Sequence, residues 1–197
     1  MKRIWSLFFC CAALHASALE TTADLQFANL KDFKVKAHVN EQNAPPPADA
    51  SVKRTDDGIE MNYVFPSAGH DALMIEFPMH VPASDAVTVE LTAAQTGHRP
   101  YLVVVDAGNE FHYLSLIPDI RISHQVIQKT GRQILTAPLP LKTQHPGELY
   151  ASHWGGDGNQ KIDFPLKHVY IGLNDYPDAF QGKGKIILHS IKFTKGK

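Results

Sequence analysis

Residues 101–117 read YLVVVDAGNEFHYLSLI, and this stretch decides the fold. Tyr101 to Val105 is a continuous apolar run, which is typical of a strand buried on both faces. Asp106-Ala107-Gly108-Asn109 is rich in residues that favour tight turns. Phe111 to Ile117 supplies a second strand-like run after the turn. The stretch therefore predicts a β-hairpin whose first strand lies inside a sheet.

Short segments on both sides of this hairpin alternate apolar and polar residues, which is the pattern of half-buried strands. Further strands are predicted at residues 33–39, 59–65, 72–77, 86–93, 131–138, 169–173 and 185–193. In the last of these, the alternation passes through Ile187, His189, Ile191 and Phe193. Pro78 and Pro82 bracket a predicted break between strands, and the proline-rich residues 42–51 predict a loop.

Helical periodicity is weak along the chain, and only Ile120 to Thr130 predicts one short helix. About nine or ten short strands separated by turns indicate a β-sandwich or barrel. The sequence has neither an internal repeat nor a linker between domains. Residues 19–197 are therefore predicted to form a single β-sandwich domain, a size suited to one hydrophobic core.

Three quoted segments occur in a familiar order. Residues 101–111 form the predicted hairpin, residues 153–166 read HWGGDGNQKIDFPL, and residues 182–191 read GKGKIILHSI. They resemble the central hairpin, a late loop and the closing strand of galactose-binding-like jelly rolls, found as carbohydrate-binding modules in secreted bacterial polysaccharide-degrading enzymes. The resemblance implies an all-β jelly-roll β-sandwich with little helix, and a function in binding a polysaccharide or glycan.

The resemblance has two departures. The closing strand of such modules often carries an acidic residue at a structural calcium site, whereas this chain has Leu188-His189-Ser190. Such modules also usually precede a catalytic domain, whereas this chain stops at Lys197, which favours a free-standing module. We therefore expect no cofactor, with a structural calcium ion kept as an alternative.

The N-terminus has the three parts of a secretory signal peptide. Lys2 and Arg3 precede an apolar run from Ile4 to Leu14, and Ala16-Ser17-Ala18 fits a cleavage site. The run is too short to anchor the chain across a bilayer, which needs about 20 residues. Residues 1–18 are thus predicted to be removed, leaving a secreted or periplasmic protein without a membrane span.

Composition narrows the chemistry of the exported chain. Both cysteines, Cys10 and Cys11, lie in the predicted signal, so the remainder has no thiol or disulfide. Removing Lys2 and Arg3 from the 19 basic residues leaves 17 against 20 acidic ones, a formal charge of −3. A nearly balanced charge without a basic tract argues against nucleic-acid binding. The sequence leaves the oligomeric state open.

The segment from His153 to Asp163 holds the main candidate binding residues. Sugars present apolar C–H faces and many hydroxyls, which aromatic rings and polar side chains recognise. The candidates for these contacts are His153, Trp154, Asp157, Asn159 and Lys161. The alternative is that Trp154, the only tryptophan outside the predicted signal, belongs to the core.

The same segment echoes the oxygen spacing of a calcium loop at Asp157, Asn159 and Asp163. Lys161 stands where another oxygen is wanted, and His168 replaces the glutamate that an EF-hand would have, so these are weak metal candidates. A second candidate binding loop, residues 174–180, offers Asp175 and Tyr176, with a solvated turn as the alternative.

Catalytic and metal motifs are weak elsewhere. The carboxylates that could form a glycosidase pair are Glu76, Glu90, Asp106, Glu110 and Glu148, and nothing in the sequence brings two of them together. The ten histidines beyond the signal, His112 among them, lack zinc-binding spacing. A non-catalytic carbohydrate-binding protein is thus favoured, with a protein-binding adhesion module or, less favoured, a small hydrolase or lyase as alternatives.

Overall fold

The computed structural model describes residues 19–38, 50–65, 72–97, 99–116, 127–139, 151–174 and 182–196. These residues form antiparallel strands in two sheets, with one short 3₁₀ turn at Phe27–Asn29. The strands are β1 (Leu19–Gln26), β2 (Lys34–His38), β3 (Ser51–Thr55), β4 (Gly58–Phe65), β5 (Ala72–Val81), β6 (Ala86–Ala93), β7 (Arg99–Val105), β8 (Glu110–Ser115), β9 (Gly131–Pro138), β10 (Ala151–Gly155), β11 (Leu166–Asn174) and β12 (Gly182–Gly196).

The first sheet, sheet I, is built around the long closing strand β12. Its strand order is β3-β4-β12-β6-β9. Two strands pair with the side of β12 that faces away from β6: β4 pairs with residues 182–188 and β1 with residues 190–196. The second sheet, sheet II, has the order β10-β8-β7-β11-β5-β2. Strands distant in sequence thus lie side by side, as expected of a jelly-roll sandwich.

One hydrophobic cluster fills the space between the two sheets. Alternate residues of each strand point inward because successive side chains of a strand leave opposite faces. Sheet I contributes residues such as Leu91 and Phe193, and sheet II contributes Phe77, Leu102 and Ile171, all at most 1% exposed. The sequence prediction of an all-β sandwich is therefore confirmed.

Most predicted strands are found at or near their predicted positions. The bounds of β6 and β9 match the prediction, and all seven residues of β7 are buried, as expected for a strand covered on both faces. The turn between β7 and β8 is also confirmed: Asn109 adopts a positive φ of 63°, and its N–H donates to the carbonyl of Asp106.

One sequence prediction on strands was wrong, and a second was confirmed only in part. The predicted break at Pro78 is absent, because β5 continues to Val81. Pro78 lies where the register with β11 shifts, and its pairing with β2 has already ended at Glu76, so its missing N–H costs little. The alternation predicted for β12 holds for His189, Ile191 and Phe193, which are buried, but not for Ile187. A register shift between Leu188 and Ser190 leaves Ile187 half-buried and places Ile186 and Leu188 in the core.

Three strands were not predicted, namely β1, β3 and β10. The last of these places Trp154 in a strand, where the sequence had indicated a loop. The predicted signal (residues 1–18), residues 42–49 of the predicted loop and residues 120–126 of the predicted helix lie outside the described residues. Within the described part of the chain, no helix is long and apolar enough to cross a membrane.

Candidate functional site

The outer face of sheet II is covered by aromatic side chains. Leu102 and Val104 of β7 point into the core, so Tyr101, Val103 and Val105 point the other way. The antiparallel register then places aromatic residues of three further strands on the same face. This aromatic face consists of Tyr101, Phe111, Tyr113, Trp154 and Tyr170.

The rings of this face contact one another in two groups. Trp154 stacks on Phe111 with ring centroids 5.5 Å apart and an interplanar angle of 12°. Phe111 in turn contacts Tyr170 at 6.2 Å. Tyr101 stacks on Tyr113 at 5.2 Å, and its hydroxyl donates to Met74 Sδ. Packed rings of this kind form a stiff, flat surface, because each ring restricts the rotation of its neighbours.

Trp154 is the most accessible ring at the β10 end of the aromatic face. Its side chain is 48% exposed, whereas Tyr101 is only 4% exposed. The alternative in which Trp154 is a core residue is therefore excluded. An exposed tryptophan stacked on a phenylalanine presents a continuous apolar surface to solvent, and such surfaces are candidates for interaction sites.

A polar group lies toward the β5 and β2 side of the same face. Lys36 Nζ forms an ion pair with Glu76 Oε2 at 2.8 Å and lies 4.9 Å from the ring centre of Tyr170. The hydrogen bond to Glu76 raises the pKa of Lys36. Partial burial raises the pKa of Glu76, but hydrogen bonds with Lys36 and Tyr170 outweigh it, so the net pKa is lowered. Both side chains are thus charged at neutral pH.

A surface cavity of 360 Å³ adjoins this polar group. Its lining includes Phe33, Lys34, Glu76 and His168. His168 is exposed, and its Nδ1 lies 3.9 Å from Glu76 Oε1. The cavity continues the line that runs from Trp154 through Phe111 across sheet II, because Val105 pairs with Phe111 on one side and with His168 on the other. The aromatic and polar parts therefore form one continuous surface.

The segment 156–163 lies against the β7–β8 turn. The N–H of Ala107 donates to the carbonyl of Asp163 at 2.8 Å, and the N–H of Asp163 donates to Asp106 Oδ2 at 3.0 Å. Gly156 has a φ of 55°, and an added Cβ would lie 2.3 Å from the backbone nitrogen of Glu110. Only glycine allows so close an approach in this conformation.

Within this segment the three predicted calcium ligands do lie together. Asn159 Nδ2 donates to Asp157 Oδ2 at 3.0 Å and to Asp163 Oδ2 at 2.6 Å. Asn159 Oδ1 accepts from the N–H of Lys161, which fixes the orientation of the amide. The amide nitrogen, rather than an oxygen, thus faces the two carboxylates. Calcium binding at this position stays a prediction.

The predicted binding residues do not all share one surface. His153 and Trp154 are neighbours in β10, so their side chains leave opposite faces of the strand. His153 Nδ1 lies 2.8 Å from Glu110 Oε1, away from the aromatic face. Asp157, Asn159 and Lys161 are exposed on the loop beyond β10. Asp175 and Tyr176 lie outside the described residues.

The structure brings Asp106 and Glu110 together, which the sequence could not indicate. Both residues are 0% exposed, and the backbone N–H of Glu110 donates to Asp106 Oδ1 at 2.8 Å. Such a buried pair cannot contact a polysaccharide chain. Glu90, another of the candidate carboxylates, is partly buried in sheet I and pairs with Arg132 at 2.7 Å.

The residues of the aromatic face were largely missed by the sequence analysis. The available signal was the alternation of Phe111 with Tyr113, and of Tyr101 with Val103, on strands already predicted. It could be used only once the register of β7, β8 and β11 was known, because register decides which alternating sets meet on one face.

Comparison with known proteins gives a match in structure but not in sequence. No family model matches the chain, and no curated protein matches it. Among solved structures, it is similar to a family 11 carbohydrate-binding module from Clostridium thermocellum in complex with a β-1,3-1,4-mixed-linked tetrasaccharide. That match has a TM-score of 0.50 at 10% identity and covers 90% of this chain and 96% of the module. The chain has the fold of family 11 carbohydrate-binding modules.

Two further solved structures agree with this fold. The family 11 module of the cellulosomal cellulase Lic26A-Cel5E of Clostridium thermocellum matches with a TM-score of 0.50 at 10% identity, covering 92% of this chain and 96% of that one. The protein PfGH50B matches with a TM-score of 0.52 at 15% identity, but only 24% of its chain is covered, against 89% of this one. The predicted carbohydrate-binding-module-like jelly roll is therefore confirmed as a fold.

Proposed function

We propose that the outer face of sheet II binds a polysaccharide chain without cleaving it. Trp154, stacked on Phe111, would supply the apolar platform against which a sugar ring packs. Lys36, Glu76 and His168 would supply hydrogen bonds to sugar hydroxyls. The exposure of Trp154, at 48% on a strand of a packed sheet, is the single observation that carries the proposal.

The dimensions of the face suit an extended polymer. The line from β10 to β2 crosses five strand intervals of about 4.8 Å each, which gives a length of about 24 Å. Aromatic rings occupy one end of this line, and charged groups beside a 360 Å³ cavity occupy the other. A ligand with both apolar faces and many hydroxyls along its length would use both ends, and a polysaccharide has that character.

The family 11 module with the same fold was solved with a bound mixed-linked tetrasaccharide. This likeness supports a sugar as the ligand class and leaves its linkage open. We also propose that the chain works outside the cytoplasm, since residues 1–18 have the features of a signal peptide. Export of a fusion to alkaline phosphatase, lost when residues 4–14 are deleted, would test this part.

The experiment is affinity gel electrophoresis of the protein through a panel of soluble polysaccharides, including mixed-linked glucan and agarose-type galactans. We expect at least one polysaccharide to retard the wild-type protein. Trp154→Ala should abolish most of this retardation, because stacking of one ring on an aromatic side chain contributes roughly 1 kcal/mol or more.

Ile134→Ala is the matched control, since Ile134 is a 64% exposed apolar residue on β9 of sheet I. It should leave the retardation unchanged. Retardation by no polysaccharide would overturn the proposal, and so would equal retardation of the wild type and Trp154→Ala. Capture of a protein partner through the Trp154 surface, without any glycan binding, would favour the adhesion alternative.

A further inference from the structure

A buried group of metal-binding side chains lies at the β7–β8 hairpin, away from the aromatic face. Asp106 follows β7 directly, and Glu110 and His112 lie two residues apart on β8, so both project from its inner face. All three residues are at most 5% exposed. One ligand atom from each lies within 4.8 Å of the other two, so small side-chain movements would let a single ion contact all three.

Within this Asp106–Glu110–His112 group, the distance between His112 and Asp106 is close to that between two ligands of one metal ion. His112 Nε2 and Asp106 Oδ2 are 3.3 Å apart. Charge-assisted hydrogen bonds are usually shorter, at about 2.7–2.9 Å. Two ligand atoms at about 2.0 Å from a tetrahedral zinc ion would be about 3.3 Å apart. The separation is thus compatible with two ligands of one ion as well as with the hydrogen bond that joins these two atoms.

Glu110 provides a second, independent observation. Its side chain is 0% exposed, and its Oε1 atom accepts no hydrogen bond. His153 Nδ1 approaches this atom to 2.8 Å from the edge strand, but the contact does not have hydrogen-bond geometry. A buried carboxylate oxygen that accepts no hydrogen bond is costly unless a cation compensates its charge, which either a protonated His153 or a bound metal ion would do.

The donor chemistry selects the class of ion. Calcium and magnesium bind almost entirely to oxygen atoms, and calcium takes six to eight of them. Imidazole nitrogen combined with one or two carboxylates instead suits zinc and related divalent transition metals. We propose that Asp106, Glu110 and His112 bind one divalent transition-metal ion of the zinc class, with His153 positioned at the solvent side of Glu110.

Such an ion would hold the hairpin and the segment 156–163 together. Asp106 already accepts the N–H of Asp163, and Glu110 Oε2 accepts the N–H of Gln160 at 3.1 Å. An ion bound to the same two carboxylates would therefore hold Asp106 and Glu110 in the positions from which they accept these N–H groups. Its role would be structural, because the group is buried and does not border the aromatic face.

The test is calorimetric titration of the chelator-treated, dialysed protein with zinc chloride, paired with metal analysis after a second dialysis. We expect one tightly bound zinc per chain and an increase in thermal midpoint, since a ligand that binds only the folded state stabilises it. Calcium chloride at the same concentration should neither bind at this site nor raise the midpoint.

His112→Gln should lower the zinc affinity at least tenfold. His189→Gln is the matched control, because His189 is 8% exposed, also lies in a strand, and is hydrogen-bonded to Thr92 and Asp57 instead. It should bind zinc like the wild type. If His112→Gln does not fold, as judged by circular dichroism, the exposed His153→Gln replaces it, with an expected loss of a few-fold in affinity.

Two results would overturn the inference. One is a wild-type protein that binds no zinc after chelation and dialysis. The other is a folded His112→Gln or, in its place, His153→Gln variant that retains full affinity, which would show that zinc binds adventitiously to other histidines. Replacing zinc with cobalt adds a spectroscopic readout: a tetrahedral nitrogen–oxygen site should give visible absorption that His112→Gln loses.

Discussion

At the scale of single residues, Gly184 shows how tightly β12 packs against its neighbour. A Cβ built on Gly184 would lie 2.2 Å from Tyr63 Cζ and Oη. The Tyr63 residue is 2% exposed, and its ring contacts Phe65 with centroids 4.8 Å apart and an interplanar angle of 36°, so it has little room to move. Burial also raises the pKa of Tyr63, which keeps its hydroxyl neutral.

We therefore expect Gly184→Ala to reduce the free energy of unfolding by about 1–3 kcal/mol, the usual cost of overpacking a core. Urea denaturation followed by circular dichroism measures it. Gly196→Ala, in the same strand, is the control, because its added Cβ would meet Asp85 Oδ2 at an ordinary 3.6 Å. Equal stability of both variants would contradict the packing described for Gly184.

Single residues also mark the limit of the sequence analysis. The sequence marks Trp154 as a candidate but does not show whether it is buried, since the tryptophan of a β-sandwich can lie on either face. His112 and Glu110 were read separately. Their two-residue spacing on an alternating strand predicts a shared face, but the approach of Asp106 and His153 depends on the turn and on an unpredicted strand.

At the scale of strands, Glu60 connects three adjacent strands of sheet I. It lies on β4 and forms ion pairs with Lys53 of β3 at 3.0 Å and with Lys185 of β12 at 2.7 Å. Hydrogen bonds from Lys185, Asn62 and Lys53 lower the pKa of Glu60 to about 2. The folded state thus favours the ionised form of this carboxyl more strongly than the unfolded chain does.

This difference predicts how stability depends on pH. The contribution of Glu60 is fully present above the unfolded pKa of about 4.3 and is lost as the pH falls toward 2. Glu60→Gln should cost on the order of 1 kcal/mol at pH 7, and the difference from wild type should shrink at pH 2. Chemical denaturation at both pH values measures this change.

Glu20→Gln is the control for this pH experiment, because Glu20 is exposed on β1. It should change stability little at either pH. A cost of Glu60→Gln that stays constant between pH 7 and pH 2 would show that the ion pairs are not its source.

Strand prediction succeeded where the pattern was regular and failed where packing overrode it. The segment 86–93 alternates cleanly, and the bounds of this strand and of the strand at 131–138 match the prediction. In β12 the bulge after Leu188 changes which alternate residues point into the core, and no local feature of the sequence predicts the bulge. The edge strand β10 is short and ends in glycines, so its sequence predicts a loop, and only its pairing with β8 shows that it is a strand.

At the scale of the whole molecule, the fold could be predicted from the sequence and the aromatic face could not. Alternation, turn residues and the three resembling segments were sufficient to predict an all-β jelly roll, because these signals are local. The aromatic face combines residues of four strands, β7, β8, β10 and β11, whose order in the sheet differs from their order in the chain. Its assembly depends on long-range register, which a single sequence does not contain.

The proposed function requires that a bound polysaccharide covers Trp154. In a Trp5→Phe variant, Trp154 is the only tryptophan in the chain, so its fluorescence reports on this one position. The measurement is a fluorescence titration of that variant with the polysaccharide that retards the protein in the affinity gel. If a polysaccharide covers Trp154, we expect a saturable blue shift of its emission, because the ligand would displace water from the half-exposed indole. Saturable binding by calorimetry with unchanged Trp154 emission would contradict it.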